Sequence, residues 1–162
     1  MTNQKEECCP SFQSEKWDEK TQKWDNKIFI QESIPTLFHI PFPPMIGKKI
    51  TSMQKMAEAT GSMPLNTEDT LILFEDPSPF KSNIYLSVTK QVPGAKNISL
   101  SGVFISKVFD GAYNAVPKFI KEMDTYLSEQ NKTAKRYFIH YAYCPQCAKD
   151  KKRNYMILFA EI

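Results

Sequence analysis

Apolar and polar residues alternate with a period of two over Asn83 to Val92, where Ile84, Leu86 and Val88 interleave with Tyr85, Ser87 and Thr89. Successive side chains of a strand point to opposite faces, so this segment predicts a strand with one apolar face. Asp69 to Phe74 (DTLILF) and Ser99 to Asp110 (SLSGVFISKVFD) read the same way, the first stopped by Pro77 and the second by the Asp110-Gly111 turn signal. Residues 28 to 42 (IFIQESIPTLFHIPF) form an extended segment broken at Pro35. The period changes over Met45 to Thr60, where Ile46, Ile50, Met53 and Ala57 recur at helical spacing and Gly61 suits the stop. A second helix is predicted through Val116, Phe119, Ile120, Met123, Tyr126 and Leu127, with Pro117 in its first turn and Asn131 as its stop. Two aromatic-rich runs close the chain, Tyr137 to Tyr143 and Asn154 to Ile162, and they predict strands joined by a tight, charged connection.

The order is strand, helix, strand, strand, and then the same again. The expected fold is therefore α+β, one motif used twice, with an antiparallel sheet carrying two helices on one face. The opposite face is expected to form a ligand cleft. Residues 1 to 27 are polar and irregular but hold Trp17 and Trp24, the only tryptophans of the chain. Side chains of that size gain most from burial, so this stretch is expected as an arm packed on a domain of residues 28 to 162.

Composition narrows the class. A chain of 162 residues is long enough for one domain with a real core, and 41% hydrophobic with 24% charged residues is ordinary for a globular protein. A net charge of +3 is no nucleic-acid footprint, and no apolar run has the length of a membrane span. The first residues, MTNQKEECCPSFQ, lack a signal-peptide core, so the expected location is the cytoplasm.

Tyr137, Tyr141 and Tyr143 fall at odd positions and are expected on one strand face with Ile139. Such a face suits a concave surface for a flat organic molecule, or the packing of a helix or of the arm. The four cysteines are Cys8, Cys9, Cys144 and Cys147. Cys144-Pro-Gln-Cys147 between two strands places two thiolates for zinc, and Cys8-Cys9 completes four ligands if the arm returns there. The alternatives are plain thiols or metal-free redox chemistry, the latter disfavoured because that motif belongs at a helix start after a strand. His140 falls on the face opposite the tyrosines, as a packed core histidine, and His39 sits among apolar neighbours as a packed residue or a base. Glu75 and Asp76 end a strand, where a carboxylate among aromatics protonates a leaving group or activates water, or where it simply finishes a solvated turn. Asp110 with Gly111 and Tyr113 forms a similar turn, and Lys149 to Arg153 reads as a solvated tip. No glycine-rich phosphate loop, GxSxG elbow or HExxH occurs.

The duplicated order resembles the GyrI-like small-molecule-binding domain. FDGAYNAVPKFIKEM matches its turn and helix, YFIHYAY a strand bearing a tyrosine (here Tyr141), and LFEDPSPFKSNIYLSV its earlier hairpin. ECCPSF, WDEKTQKWDNKIFI and YCPQCAKDKKRNYMILFAEI together are similar to the branch of cyclopropanoid cyclopropyl hydrolases. The resemblance implies binding of flat hydrophobic xenobiotics in an aromatic cage and opening of the strained ring of DNA-alkylating natural products. Cage candidates are Trp24, Phe42, Tyr85, Tyr113, Tyr137, Tyr141 and Tyr143. Tyr141 would donate to the substrate carbonyl and Glu75 would orient water, with no cofactor needed for the chemistry. Drug-binding relatives often carry a glutamate in the last strand. Here that strand reads YMILFA, so a carboxylate would come from Glu75 or Asp76. The alternative implied function is a non-catalytic module that sequesters such molecules.

Overall fold

A computed structural model describes Cys9 and residues 11–38, 40–41 and 43–162. The elements run β1 Lys20–Leu37, β2 Ile40–Pro41, α1 Pro43–Ala59, β3 Ile72–Ser78, β4 Lys81–Ser87, β5 Lys96–Asp110, α2 Val116–Ser128, β6 Arg136–Tyr141, α3 Pro145–Lys151 and β7 Tyr155–Glu161. All strand pairings are antiparallel. The fold is α+β, and the strand–helix–strand–strand motif does occur twice: β1-α1-β3-β4 and β5-α2-β6-β7.

The two halves meet along two seams between equivalent strands. β1 pairs with β5 over a long register, from Lys20 with Ser106 to Gln31 with Lys96. β3 meets β6 through Leu73 with His140 and Phe74 with Ile139. Because β1 also pairs with β4, the order β1-β4-β3-β6-β7-β5 returns to β1 and the sheet closes on itself. Such closure removes the exposed edges that an open sheet of this size would carry.

Closure turns one face of every strand inward. Phe29, Leu73, Tyr85, Leu100, Phe104, Phe138, Ile157 and Phe159 come from all six strands of the ring and form one buried cluster. Trp24 packs on Phe104 with ring centroids 4.2 Å apart and on Phe159 at 5.5 Å, while Trp17 meets Phe159 edge-on at 5.8 Å. Both tryptophans thus belong to the interior. Trp24 lies within β1 itself, which begins at Lys20, well ahead of the extended segment predicted from residue 28. The polar spacing of KTQKWDNK masks this strand, since half of it faces solvent. Trp24 sits opposite Gly102, whose φ of 143° is one that residues with a Cβ rarely adopt.

Alternate residues of the same strands point outward and carry the helices. Met53 and Ala57 of α1 bury Ile30 and Ile34 of β1 with Ile84 and Leu86 of β4. Phe119, Met123 and Leu127 of α2 bury Ile105 and Phe109 of β5 with Met156, Leu158 and Ala160 of β7. Gly111 precedes α2 where a Cβ would come within 2.7 Å of the Phe119 ring, so the turn requires glycine for close approach. Each helix covers the strands that flank β3 or β6, and the β3–β6 seam stays uncovered between them. The concavity therefore lies on the helix-bearing face, not on the opposite face as predicted. The opposite face is the interior of the closed sheet and is filled by the chain's own rings.

Phe159 is fully buried against Trp17 and Trp24. Phe159→Ala should cost about 3–5 kcal/mol of unfolding free energy in urea denaturation, because it leaves a cavity that both tryptophans border.

Candidate functional site

A cavity of about 1840 Å³ opens over the bare seam. Ile72, Phe74 and Asp76 from β3 and Tyr137, Ile139 and Tyr141 from β6 form its floor, each set sharing one strand face by the period of two. Ile46, Ile50 and Gln54 of α1 form one wall, and Val116, Pro117 and Ile120 of α2 the other. Sequence reasoning assigned Ile46, Ile50 and Ile120 to the helix core, because helical spacing reports a shared face and not which neighbour that face meets. Phe38, 70% exposed, stands at the rim, and beyond the end of β6 the cavity continues to Ser11, Phe12, Tyr143 and Cys144.

Four tyrosines, Tyr113, Tyr137, Tyr141 and Tyr143, line this space. Tyr113, in the turn before α2, meets Tyr141 edge-on at 5.3 Å, and Phe74 meets Tyr141 from the other side at 5.5 Å. Burial raises the Tyr141 phenol, and the charge of Asp76 and the neighbouring Tyr113 push it further, to about 12. The hydroxyl stays protonated through neutral pH and is available as a donor. Burial also raises Tyr113, with a smaller contribution from Cys144. Tyr137 donates to Asp124 of α2, and burial followed by that hydrogen bond holds its phenol above the ordinary range. Tyr143 lies past the strand end rather than on the shared face. It is buried between Phe12 and Tyr155, and its hydroxyl accepts from the Phe12 N–H at 3.3 Å.

Other predicted residues fall elsewhere. Trp24 and Tyr85 point into the closed interior and do not line the cavity. Phe42, His39 and Cys8 lie outside the described residues. Glu75 lines the cavity, yet its strand alternation turns it to the side of Tyr85, away from Phe74 and Tyr141. Tyr85 donates to Glu75 Oε2 at 2.7 Å, and Arg136 approaches Glu75 Oε1 at 3.6 Å while bonding Glu161 at 2.8 Å. Burial, then the Glu75 hydrogen bond, raises the Tyr85 phenol. Glu75 is thus anchored in a charged network at one end of the seam. Asp76 sits on the Tyr141 side and acts on that phenol. The Asp110 turn is held by Arg153 at 3.0 Å and by the Asn154 N–H at 2.9 Å, away from the cavity lining.

The connection between β6 and β7 is not a tight hairpin. Cys144 caps a short helix, α3, whose left-handed residue Lys152 (φ 53°) turns the chain into β7. The CxxC pair therefore does stand at a helix start after a strand, the setting whose absence argued against redox chemistry in the sequence. The sulfurs of Cys9, Cys144 and Cys147 lie within 4.8 Å of one another.

This arrangement defines a globular α+β protein with an apolar, tyrosine-rich cavity and carboxylates at its rim. A model of the family described as bacterial hydrolase matches residues 1–162, and the chain belongs to that family. The membership supports a hydrolytic activity and names no substrate. No curated protein matches the chain. No helix among the described residues is long and apolar enough to cross a membrane.

His140 lies under the seam with Nδ1 3.1 Å from both the N–H and the carbonyl oxygen of Ile72. Burial lowers its pKa from 6.5 to about 4, only partly opposed by that backbone contact. The unfolded chain therefore binds a proton near pH 6.5 that the folded chain refuses until about pH 4. Stability should fall by about 3 kcal/mol between those limits and level off below them, as far as this residue is concerned. His140→Gln should flatten that part of the pH profile in chemical denaturation.

Proposed function

We propose that the cavity binds flat hydrophobic xenobiotics and hydrolyses the cyclopropane ring of DNA-alkylating natural products, as a GyrI-like domain of the cyclopropanoid cyclopropyl hydrolase branch. The observation that carries this reading is the Tyr113–Tyr141 pair beside Asp76 on an aliphatic floor. Isoleucine side chains and ring edges offer a slot for a planar molecule, and the family membership supports hydrolysis. The duplicated topology supports the GyrI-like assignment.

The reaction is net addition of water. The water oxygen bonds to the ring CH2 carbon, and the ring C–C bond conjugated to the dienone breaks. Its electron pair moves through the dienone to the carbonyl oxygen, which takes up a proton, while the attacking water releases one. Tyr141 supplies a hydrogen bond to that oxygen as negative charge develops there. Its raised pKa keeps it a donor throughout. Asp76, on the same side of the seam, orients the water and accepts its proton. Glu75 acts one step back, fixing Arg136 and Tyr85 at the seam's end. The geometry thus favours Asp76 for the water-orienting role that the resemblance alone gives to Glu75.

Incubation with excess cyclopropane-bearing alkylator should yield the water adduct by mass spectrometry, with many turnovers per chain. Protection of one equivalent without adduct would mean a sequestering module instead. Tyr141→Phe should lower kcat by about 10²-fold, the order found for loss of one donor to a developing oxyanion, with planar-dye affinity nearly unchanged. Tyr141→Ala should weaken dye binding by about 1–3 kcal/mol through loss of the ring. Asp76→Asn should slow turnover by about 10²-fold, and Glu75→Gln by less. The reverse order would return the water to Glu75.

A further inference from the structure

Cys9 lies in the segment that precedes β1, and Cys144 and Cys147 bracket the start of α3. These two parts of the chain are 135 residues apart, yet the Cys144 N–H donates to Cys9 Sγ at 3.3 Å. The Cys147 N–H in turn approaches Cys144 Sγ at 3.5 Å. The three sulfurs converge within 4.8 Å. A tetrahedral zinc with Zn–S bonds of about 2.3 Å separates its sulfurs by about 3.8 Å, so small side-chain rotations bring this cluster to ligand spacing. Cys147 is buried and the other two half-buried, which suits a site closed to bulk water.

We propose that Cys9, Cys144 and Cys147 bind one structural zinc ion, and that this ion clamps the segment before β1 onto α3. Cys8 neighbours Cys9 in the sequence, lies outside the described residues and is the remaining thiol of the chain. The clamp is not part of the proposed hydrolysis. Its consequence is architectural: Cys9, Phe12 and Cys144 all line the far end of the cavity. Phe12 is held there by Tyr143 and Tyr155. The metal fixes the end wall at which that segment meets α3, and its loss frees the segment as far as the half-buried Trp17, which packs on Phe159.

Protein purified under reducing conditions without chelator should contain about one zinc per chain by mass spectrometry of metals. Replacement by cobalt should give a sulfur-to-cobalt charge-transfer band. Cys147→Ser should lose most of the metal. Cys9→Ser, at a half-buried position outside the closed sheet, provides the same test should the buried variant not fold. Chelation should speed tryptic cleavage after Lys16, which is exposed and lies in the clamped segment. Absence of metal from reduced protein, or Cys→Ser variants that retain it fully, would overturn the site. A metal that leaves without changing cleavage at Lys16 would overturn the clamp.

Discussion

The eighteen residues of β1 pair along their first part with β5 and along their second with β4, and the remaining geometry depends on that double pairing. A shorter strand would leave the sheet open, with one face free to line a cleft. The long one closes the ring, commits the inner face to an aromatic core and leaves only the outer face for function. The bulge between Trp24 and Lys27 lies within the β5 pairing, where one extra residue of β1 bends the strand ahead of the β4 pairing that begins at Phe29. Asn26 takes a left-handed φ of 50° there, and its N–H is satisfied by Ser101 at 2.8 Å.

With the inner face occupied, the duplication itself creates the site. Each helix packs on its own half through large apolar residues, and the β3–β6 seam is left open between the two. A two-strand seam with few pairings and no cover is a groove by construction. Its floor is made of residues that would have been core in an undivided protein, which is why it is largely apolar, and its carboxylates, Glu75 and Asp76, enter toward the end of β3. Asp76 and Glu75 are adjacent in sequence, yet the pleat sends one toward Tyr141 and the other into the Arg136–Glu161 network. The carboxylate beside Tyr141 and the one that braces the seam's end are thereby separated by a single residue step.

The segment before β1 is tied to the domain at both its ends. At one end Trp17 enters the closed core and its carbonyl accepts from Ser106 at 2.7 Å, while Asp18 accepts from the Val108 N–H at 3.0 Å. At the other end Phe12 and the thiol cluster meet α3 and Tyr143. Apolar burial holds the first anchor whatever the conditions. With the proposed zinc in place, the second depends also on the state of the sulfurs.

Local periodicity determined the fold class, the doubled motif, both helices and the strands from β3 onward, because each depends on residues within a few positions of one another. Turn chemistry such as Asp110-Gly111 was legible for the same reason. The identity of Tyr141 as a cavity residue was also readable, through its alternation with Ile139 and its match to a familiar strand. Tertiary structure alone decided which face is hollow, since that follows from closure by β1, a contact between distant strands that no local pattern records. It also decided that Trp24 and Tyr85 are core rather than cage, and that Cys144 and Cys147 begin a helix. A seven-residue helix rich in lysine has too little apolar periodicity to announce itself, and its position is set by the strands on either side. The meeting of Cys9 with that helix belongs to the same class: the sequence supplied the thiols, and only the folded chain could bring them together.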